Sequence, residues 1–126
     1  YESIHAGEVP QQMVATTRIA AKHPRIARIL KQMENLIDSP PTIGTLARTN
    51  GISTRKLESE FKAATGRAPG TFFLDLRLSE ARRRAIDSAQ SVQEIALACG
   101  FTSQASFARA FRQAFGQSVT ALRRQH

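Results

Sequence analysis

Apolar residues recur at spacings of three and four along most of the chain, which predicts an all-α protein of seven helices. The first helix begins near Pro24, a residue suited to a first helical position, and Ser39 and the prolines after it end the helix. A long fourth helix runs from Pro69 to about Ile86, and a short seventh from about Ser118 to Arg124. The apolar face of the first helix is expected to hold Ile26, Ile29, Leu30, Met33, Leu36 and Ile37.

Residues 42–66 and residues 91–116 are two degenerate copies of one unit. Each copy consists of a predicted helix, a turn with Gly51 or Gly100, and a second helix that ends at glycine. A repeat of this length indicates a duplicated supersecondary unit, and a helix pair with a glycine turn is typical of a helix-turn-helix.

Capping residues support the helix starts within both copies. Thr42 and Ser53 are expected to cap the two helices of the first copy. In the second copy, Ser91 and Glu94 form the Ser-x-x-Glu pattern of a capping box.

The second helix of each copy has an apolar and a polar face, with Leu57 and Phe61 inward in the first copy. Phe107, Phe111 and Phe115 take the inward face of the second copy. The outward positions carry donors and cations of the kinds that suit base edges and phosphates. These outward residues are Arg55, Lys56, Glu58, Ser59 and Lys62, and then Gln104, Ala105, Ser106, Arg109, Arg112 and Gln113.

Composition narrows the class of protein. A chain of 126 residues has room for one domain or two very small ones, and a large enzyme cleft is not expected. The net charge of +8 favours a polyanionic partner. The single cysteine, Cys99, excludes an internal disulfide and a multi-cysteine zinc site, and it aligns with Asn50 of the first copy as a packed small side chain. We expect no catalytic site, cofactor or metal, and a cytoplasmic protein with no membrane segment.

The chain resembles the carboxy-terminal DNA-binding domain of the AraC/XylS transcription regulators over about residues 24–124, and the second copy is the more specific match. Val119 departs from the pattern, which usually has proline there, and Leu122 stands where an aromatic is frequent. The matching residues are Ser91 to Ala96, Cys99 to Phe101, Ser103, Phe107, Phe111, Phe115 and Gly116, with Arg77, Leu78 and Ala81 in the fourth helix.

This resemblance implies a DNA-binding domain over residues 23–126. Residues 1–22 hold Gly7, Pro10 and many polar residues with no sustained apolar period, which predicts a linker or flexible arm. Two helix-turn-helix subdomains, about 42–66 and 91–116, are joined by a linker helix at about 69–87, and the partner is double-stranded promoter DNA. The implied base contacts are Arg55, Glu58, Ser59, Gln104, Ala105, Ser106 and Arg109. The phosphate contacts expected from charge and position are Lys56, Lys62, Arg67 and Arg112.

Members with a glutamine-amidotransferase-like sensor domain show a further likeness, around Val9, Pro10 and Gln11 and in the run from Ile95 to Cys99. An upstream sensor domain is therefore expected, and activation would require a surface for RNA polymerase. The start at Tyr1 also suggests a piece of a longer protein.

Several alternatives remain open at this point. Arg55 and Arg109 either contact guanine or are solvated, and Glu58 either accepts from cytosine or pairs with Lys62. The run of arginines at 82–84 either touches the DNA backbone or forms a solvated helix face, which is favoured. For the whole chain, the alternatives are an architectural protein that coats nucleic acid without reading it, and a protein-interaction module with an acidic partner.

Overall fold

The structure, a computed structural model, describes residues 19–126, so most of the predicted arm lies outside the described residues. The described chain is helical with connecting loops and contains no strand, which confirms the all-α prediction. Residues 19–22 are also helical, which gives one helix more than the seven predicted. The other helices are α1 (Pro24–Asn35), α2 (Ile43–Thr49), α3 (Thr54–Thr65), α4 (Pro69–Asp87), α5 (Val92–Ala98), α6 (Gln104–Phe115) and α7 (Val119–Gln125).

Local capping explains where the helices of the two copies start. The hydroxyl oxygens of Thr42 and Ser53 accept hydrogen bonds from backbone N–H groups three residues on, both at 3.1 Å. Ser91 accepts from Glu94 N at 3.0 Å while the Glu94 carboxylate accepts from Ser91 N at 2.8 Å. These bonds satisfy N–H groups that a helix start leaves without partners, and they confirm the predicted caps.

The chain forms two compact units. Unit 1 contains α1 and the first copy, up to Pro69, and both α1 and α2 pack against α3. Its buried apolar side chains are Ile26, Ile29, Leu30, Met33, Leu46, Ala47, Leu57, Phe61 and Pro69.

Unit 2 contains Gly70–His126 and also the segment Leu36–Pro41. Its core holds residues of α4 to α7, among them Val119 and Leu122, at 3% and 1% exposure. These two departures from the family pattern therefore fill core positions of α7. Four phenylalanines form an aromatic ladder with successive ring centroids 5.2, 5.5 and 4.7 Å apart. The aromatic ladder consists of Phe101, Phe107, Phe111 and Phe115.

The predicted extent of the first helix is wrong at its carboxyl end. α1 stops at Asn35, and Leu36, expected on its buried face, is 37% exposed. Ile37 instead packs against the core of unit 2. The physical reason is the two prolines that follow Ser39, because a residue before proline is driven out of the helical region and the preceding turn unwinds.

Candidate nucleic-acid interface

α3 presents a polar face on a fixed apolar support. Leu57 and Phe61 are both 0% exposed, so the helix cannot rotate about its axis without breaking the unit 1 core. All the predicted contact residues of this helix and the turn after it are solvent-exposed. They are Arg55, Lys56, Glu58, Ser59, Lys62 and Arg67.

A carboxylate on α3 ties this helix to α1, and the sequence patterns did not point to it. Glu60 accepts two hydrogen bonds from Arg25 Nη1, at 3.1 and 3.2 Å, and its Oε2 lies 3.9 Å from Lys56 Nζ. Among residues 19–126, Glu58 forms no ion pair with Lys62, and its contact with cytosine stays a prediction. The Lys56 pair is exposed and worth only about 0 to 1 kcal/mol, so its ammonium can exchange Glu60 for a phosphate at little cost.

α6 presents the second polar face. Its start is capped by Ser103, whose hydroxyl accepts from Ser106 N at 3.0 Å. Phe107 and Phe111 are fully buried and hold the opposite face on the core of unit 2. The predicted contact residues of this helix are all solvent-exposed. They are Gln104, Ala105, Ser106, Arg109 and Arg112.

Charge distinguishes α6 from α3. Residues 95–126 contain four arginines and no aspartate or glutamate. Within the described structure neither Arg109 nor Arg112 makes an ion pair, so both guanidinium groups are available to an anion. Together with Ala108 and Gln113 they line a surface depression. Gln113 was predicted on the outward face but was not among the predicted contacts, and its place beside Arg109 makes it a further candidate.

The arginine run at 82–84 on α4 does not form a wholly solvated face, in contrast to the favoured interpretation. Arg82 is only 6% exposed, and its guanidinium carbon lies 5.7 Å from the ring centroid of Phe115. The interpretation as a solvated side chain is therefore wrong for Arg82. Arg82 lies next to buried Ala81 and three residues before buried Ala85, so the helical period turns the aliphatic part of its side chain inward.

The other two arginines of the run share Glu80. Arg83 donates to both oxygens of its carboxylate, at 2.9 and 2.7 Å, and Arg84 Nε donates to Oε2 at 2.8 Å. The hydrogen bond from Arg83 is the main cause that lowers the pKa of Glu80. Both arginines therefore have an internal anion, unlike Arg109 and Arg112.

Cys99 is confirmed as a packed small side chain. The residue is 0% exposed, and burial raises the pKa of its thiol to about 11. Since the thiolate is the nucleophilic form, the protonated Cys99 has little reactivity at neutral pH.

Residues 19–126 contain neither a cluster of metal ligands nor a membrane-spanning helix. No group of three His, Cys, Asp or Glu side chains there lies close enough to hold a metal ion. No helix in that range is long and apolar enough to cross a membrane.

Two capped helix pairs with glycine turns, each with an exposed polar second helix, define a protein with duplicated helix-turn-helix units. The family described as "Helix-turn-helix domain" matches residues 46–125. A solved structure of a transcriptional regulator from Chromobacterium violaceum, one of the AraC-type DNA-binding domain-containing proteins, is 33% identical to this chain. The match covers 84% of this chain and 95% of that one, with a TM-score of 0.77. The chain therefore belongs to the family of AraC-type helix-turn-helix domains.

Other relatives agree with this assignment. The DNA-binding domain of the global transcriptional factor AdpA, solved in complex with a target DNA, is 29% identical over 79% of this chain and 89% of that chain, with a TM-score of 0.75. The transcriptional regulator ArgR of Pseudomonas aeruginosa is 34% identical over 115 residues, which is 91% of this chain and 35% of ArgR. The chain thus spans about a third of the length of ArgR and of other curated relatives that it matches.

Proposed function

We propose that this chain is the sequence-specific DNA-binding part of a bacterial transcription regulator, in which α3 and α6 each enter a major groove of promoter DNA. The observation that carries the proposal is the exposed face of α6, where amide donors and two arginines without an ion pair in residues 19–126 stand on a helix fixed by buried phenylalanines. Membership of the AraC-type family and the DNA complex of the related AdpA domain support it.

The second recognition helix has the donor types for direct base reading. Arg109 suits the two acceptors on the edge of guanine, Gln104 suits adenine, and the methyl group of Ala105 suits the methyl of thymine. Ser106 can donate to or accept from either kind of base. Arg112 lies beside Arg109 on the exposed surface and is assigned to a phosphate.

The first recognition helix has a more mixed set. Arg55 is assigned to guanine, Ser59 to a neighbouring base edge, and Glu58 to a cytosine amino group, since Glu58 has no ion pair with Lys62 within the described chain. Lys62 is assigned to phosphate together with Lys56 and Arg67, because exposed cations contact the DNA backbone without reading its sequence.

Adjacent major grooves are proposed as the targets. α4 follows the first copy and precedes the second, and its 19 residues correspond to about 28 Å. This length approaches the ~34 Å between successive major-groove faces of B-DNA.

The upstream sensor domain, the contact with RNA polymerase and the cytoplasmic location stay predictions. The likeness around Val9, Pro10 and Gln11 is what supports a sensor domain, and those residues lie outside the described part of the chain.

The test compares two single substitutions on a cognate site, its single-base variants and random DNA. Arg109→Ala should cost about 1 to 3 kcal/mol at one base-pair position and relax the preference there. Lys62→Ala should weaken binding to all sequences alike and lower the salt slope by about 1.

The control is Arg124→Ala, which removes an exposed arginine of unit 2 from outside the recognition helices. It should leave the base preference unchanged. If Arg109→Ala weakens cognate and random DNA equally, direct reading by α6 is excluded and an architectural protein that coats DNA becomes the better account.

A further inference from the structure

The turn between α5 and α6 is held by an arginine from a different helix. Arg77 on α4 donates from Nε to the carbonyl oxygen of Cys99 at 2.8 Å and from Nη2 to that of Gly100 at 2.9 Å. Its guanidinium carbon also lies 4.3 Å from the ring centroid of Phe101, the residue that follows the turn. One rigid fork thus contacts three consecutive residues of the turn.

The same turn has no spare room on another side. Gly100 adopts a φ of +83°, and a Cβ placed there would lie 2.5 Å from the carbonyl oxygen of Ile37 and 2.6 Å from Cδ of Pro40. The segment Leu36–Pro41 of unit 2 therefore packs directly on the turn. Arg77 and this segment leave the backbone of residue 100 little freedom to move.

The turn of the first copy is held in a chemically different way. Gln32 on α1 and Asn50 exchange two side-chain hydrogen bonds, at 3.2 and 2.8 Å. Asn50 Nδ2 also donates to the carbonyl oxygen of Leu46 at 2.7 Å. Asn50 occupies the position of Cys99 in the repeat, so both copies are braced at the same place by the helix that precedes the pair.

Arg77 contacts the backbone just past the end of α5. Cys99 is the C-cap of that helix and Gly100 follows it, and the charged fork satisfies the carbonyl groups of both residues at once. Burial lowers the pKa of the Arg77 guanidinium from its ordinary value, but an arginine stays charged. Because the turn sets the angle between its two helices, a side chain that fixes the turn also fixes the direction of the recognition helix.

We propose that Arg77 and Gln32 are positioning residues for DNA reading, with Arg77 setting the direction of α6 and Gln32 that of α3, each through its own turn. The inference rests on the proposed function. It assigns no DNA contact to either residue, and it separates the two halves of the binding site, because each brace lies within its own unit.

The experiment selects random duplex DNA with the 126-residue chain and with the variants Arg77→Gln and Gln32→Ala. Each recognition helix is expected to read one part of the selected site, called its box. The box read by α6 is the one in which Arg109→Ala changes the base preference. Arg77→Gln should lose about 10-fold discrimination at the bases of that box and keep the other box, as expected for base contacts that have lost their alignment. Gln32→Ala should do the reverse, and affinity for random DNA should stay within about 2-fold in both, because phosphate contacts tolerate small shifts.

Arg83→Gln is the matched control, since Arg83 lies on the same helix as Arg77 but is 51% exposed and, within residues 19–126, forms its ion pair with Glu80 alone. It should keep the preference in both boxes. A purely stabilising role of Arg77 would lower the folded fraction of unit 2, and with it the affinity for random DNA by more than about 2-fold, which would overturn the inference.

Equal loss in the two boxes, or no loss in either, overturns the inference. If Arg77→Gln does not fold, as judged by circular dichroism, Arg77→Lys is used, because it keeps the charge but not the fork. That variant should lose part of the discrimination in the α6 box, and full retention of it overturns the inference. A wild-type chain that enriches no sequence refutes the proposed function itself.

Discussion

Replacing Phe111 by alanine tests whether the aromatic ladder holds the second recognition helix in place. Phe111 is fully buried, and its ring centroid lies 5.5 Å from that of Phe107 and 4.7 Å from that of Phe115. The substitution removes the middle of this stack and leaves a cavity beneath α6.

The expected loss is about 3 to 5 kcal/mol, from lost burial and the cavity together. A unit of roughly 60 residues has about 3 to 9 kcal/mol of stability in all, at 0.05 to 0.15 kcal/mol per residue. Phe111→Ala should therefore remove between about a third and all of the stability of unit 2. The milder Phe111→Leu should cost about 1 to 2 kcal/mol, or roughly 5 to 15 °C in melting temperature.

Thermal unfolding followed by circular dichroism at 222 nm measures both variants. The control is Leu97→Ala on α5, because Leu97 is apolar but 58% exposed and should change stability by less than about 0.5 kcal/mol. If Leu97→Ala destabilises the chain as much as Phe111→Leu does, the assignment of buried and exposed faces in unit 2 is wrong.

Two further predictions concern the turn and the cysteine. Gly51→Ala should cost about 1 to 2 kcal/mol, because the residue has a φ of +71° but no neighbour within 4 Å of an added Cβ. Gly100→Ala should cost about 1 to 3 kcal/mol more, because its added Cβ would also overpack the turn. Equal melting temperatures for the two variants would contradict this reasoning. Cys99 should react with a thiol reagent only after unfolding. Because its folded pKa of about 11 is raised above the ordinary 9.0, its contribution to stability is intact below pH 9 and is lost as the pH rises toward 11; a fast reaction of native protein at pH 8 would contradict the burial.

The helices and their starts could be predicted because their signals are local. Thr42 and Ser53 lie next to the helices that they cap, and Gly51 and Gly100 lie in the turns themselves. The exposed face of each recognition helix also follows from the spacing of three and four. Which of those exposed residues contact DNA stays a prediction.

The braces and the ion pairs could not be predicted, because each joins residues far apart in the chain. Arg77 lies 22 residues from Cys99, and Arg25 lies 35 residues from Glu60. Nothing in a local pattern distinguishes such residues from other charged positions on a helix. The burial of Arg82 was missed for a related reason, since a basic run resembles a solvated face unless the packing around it is known.

Selection of random duplex DNA at ~0.15 M salt, where nonspecific contacts are partly screened, tests the central claim most directly. The proposed function predicts enrichment of one asymmetric site with two boxes about one helical turn apart. Tight binding with no enriched sequence, or no binding at all, would contradict it.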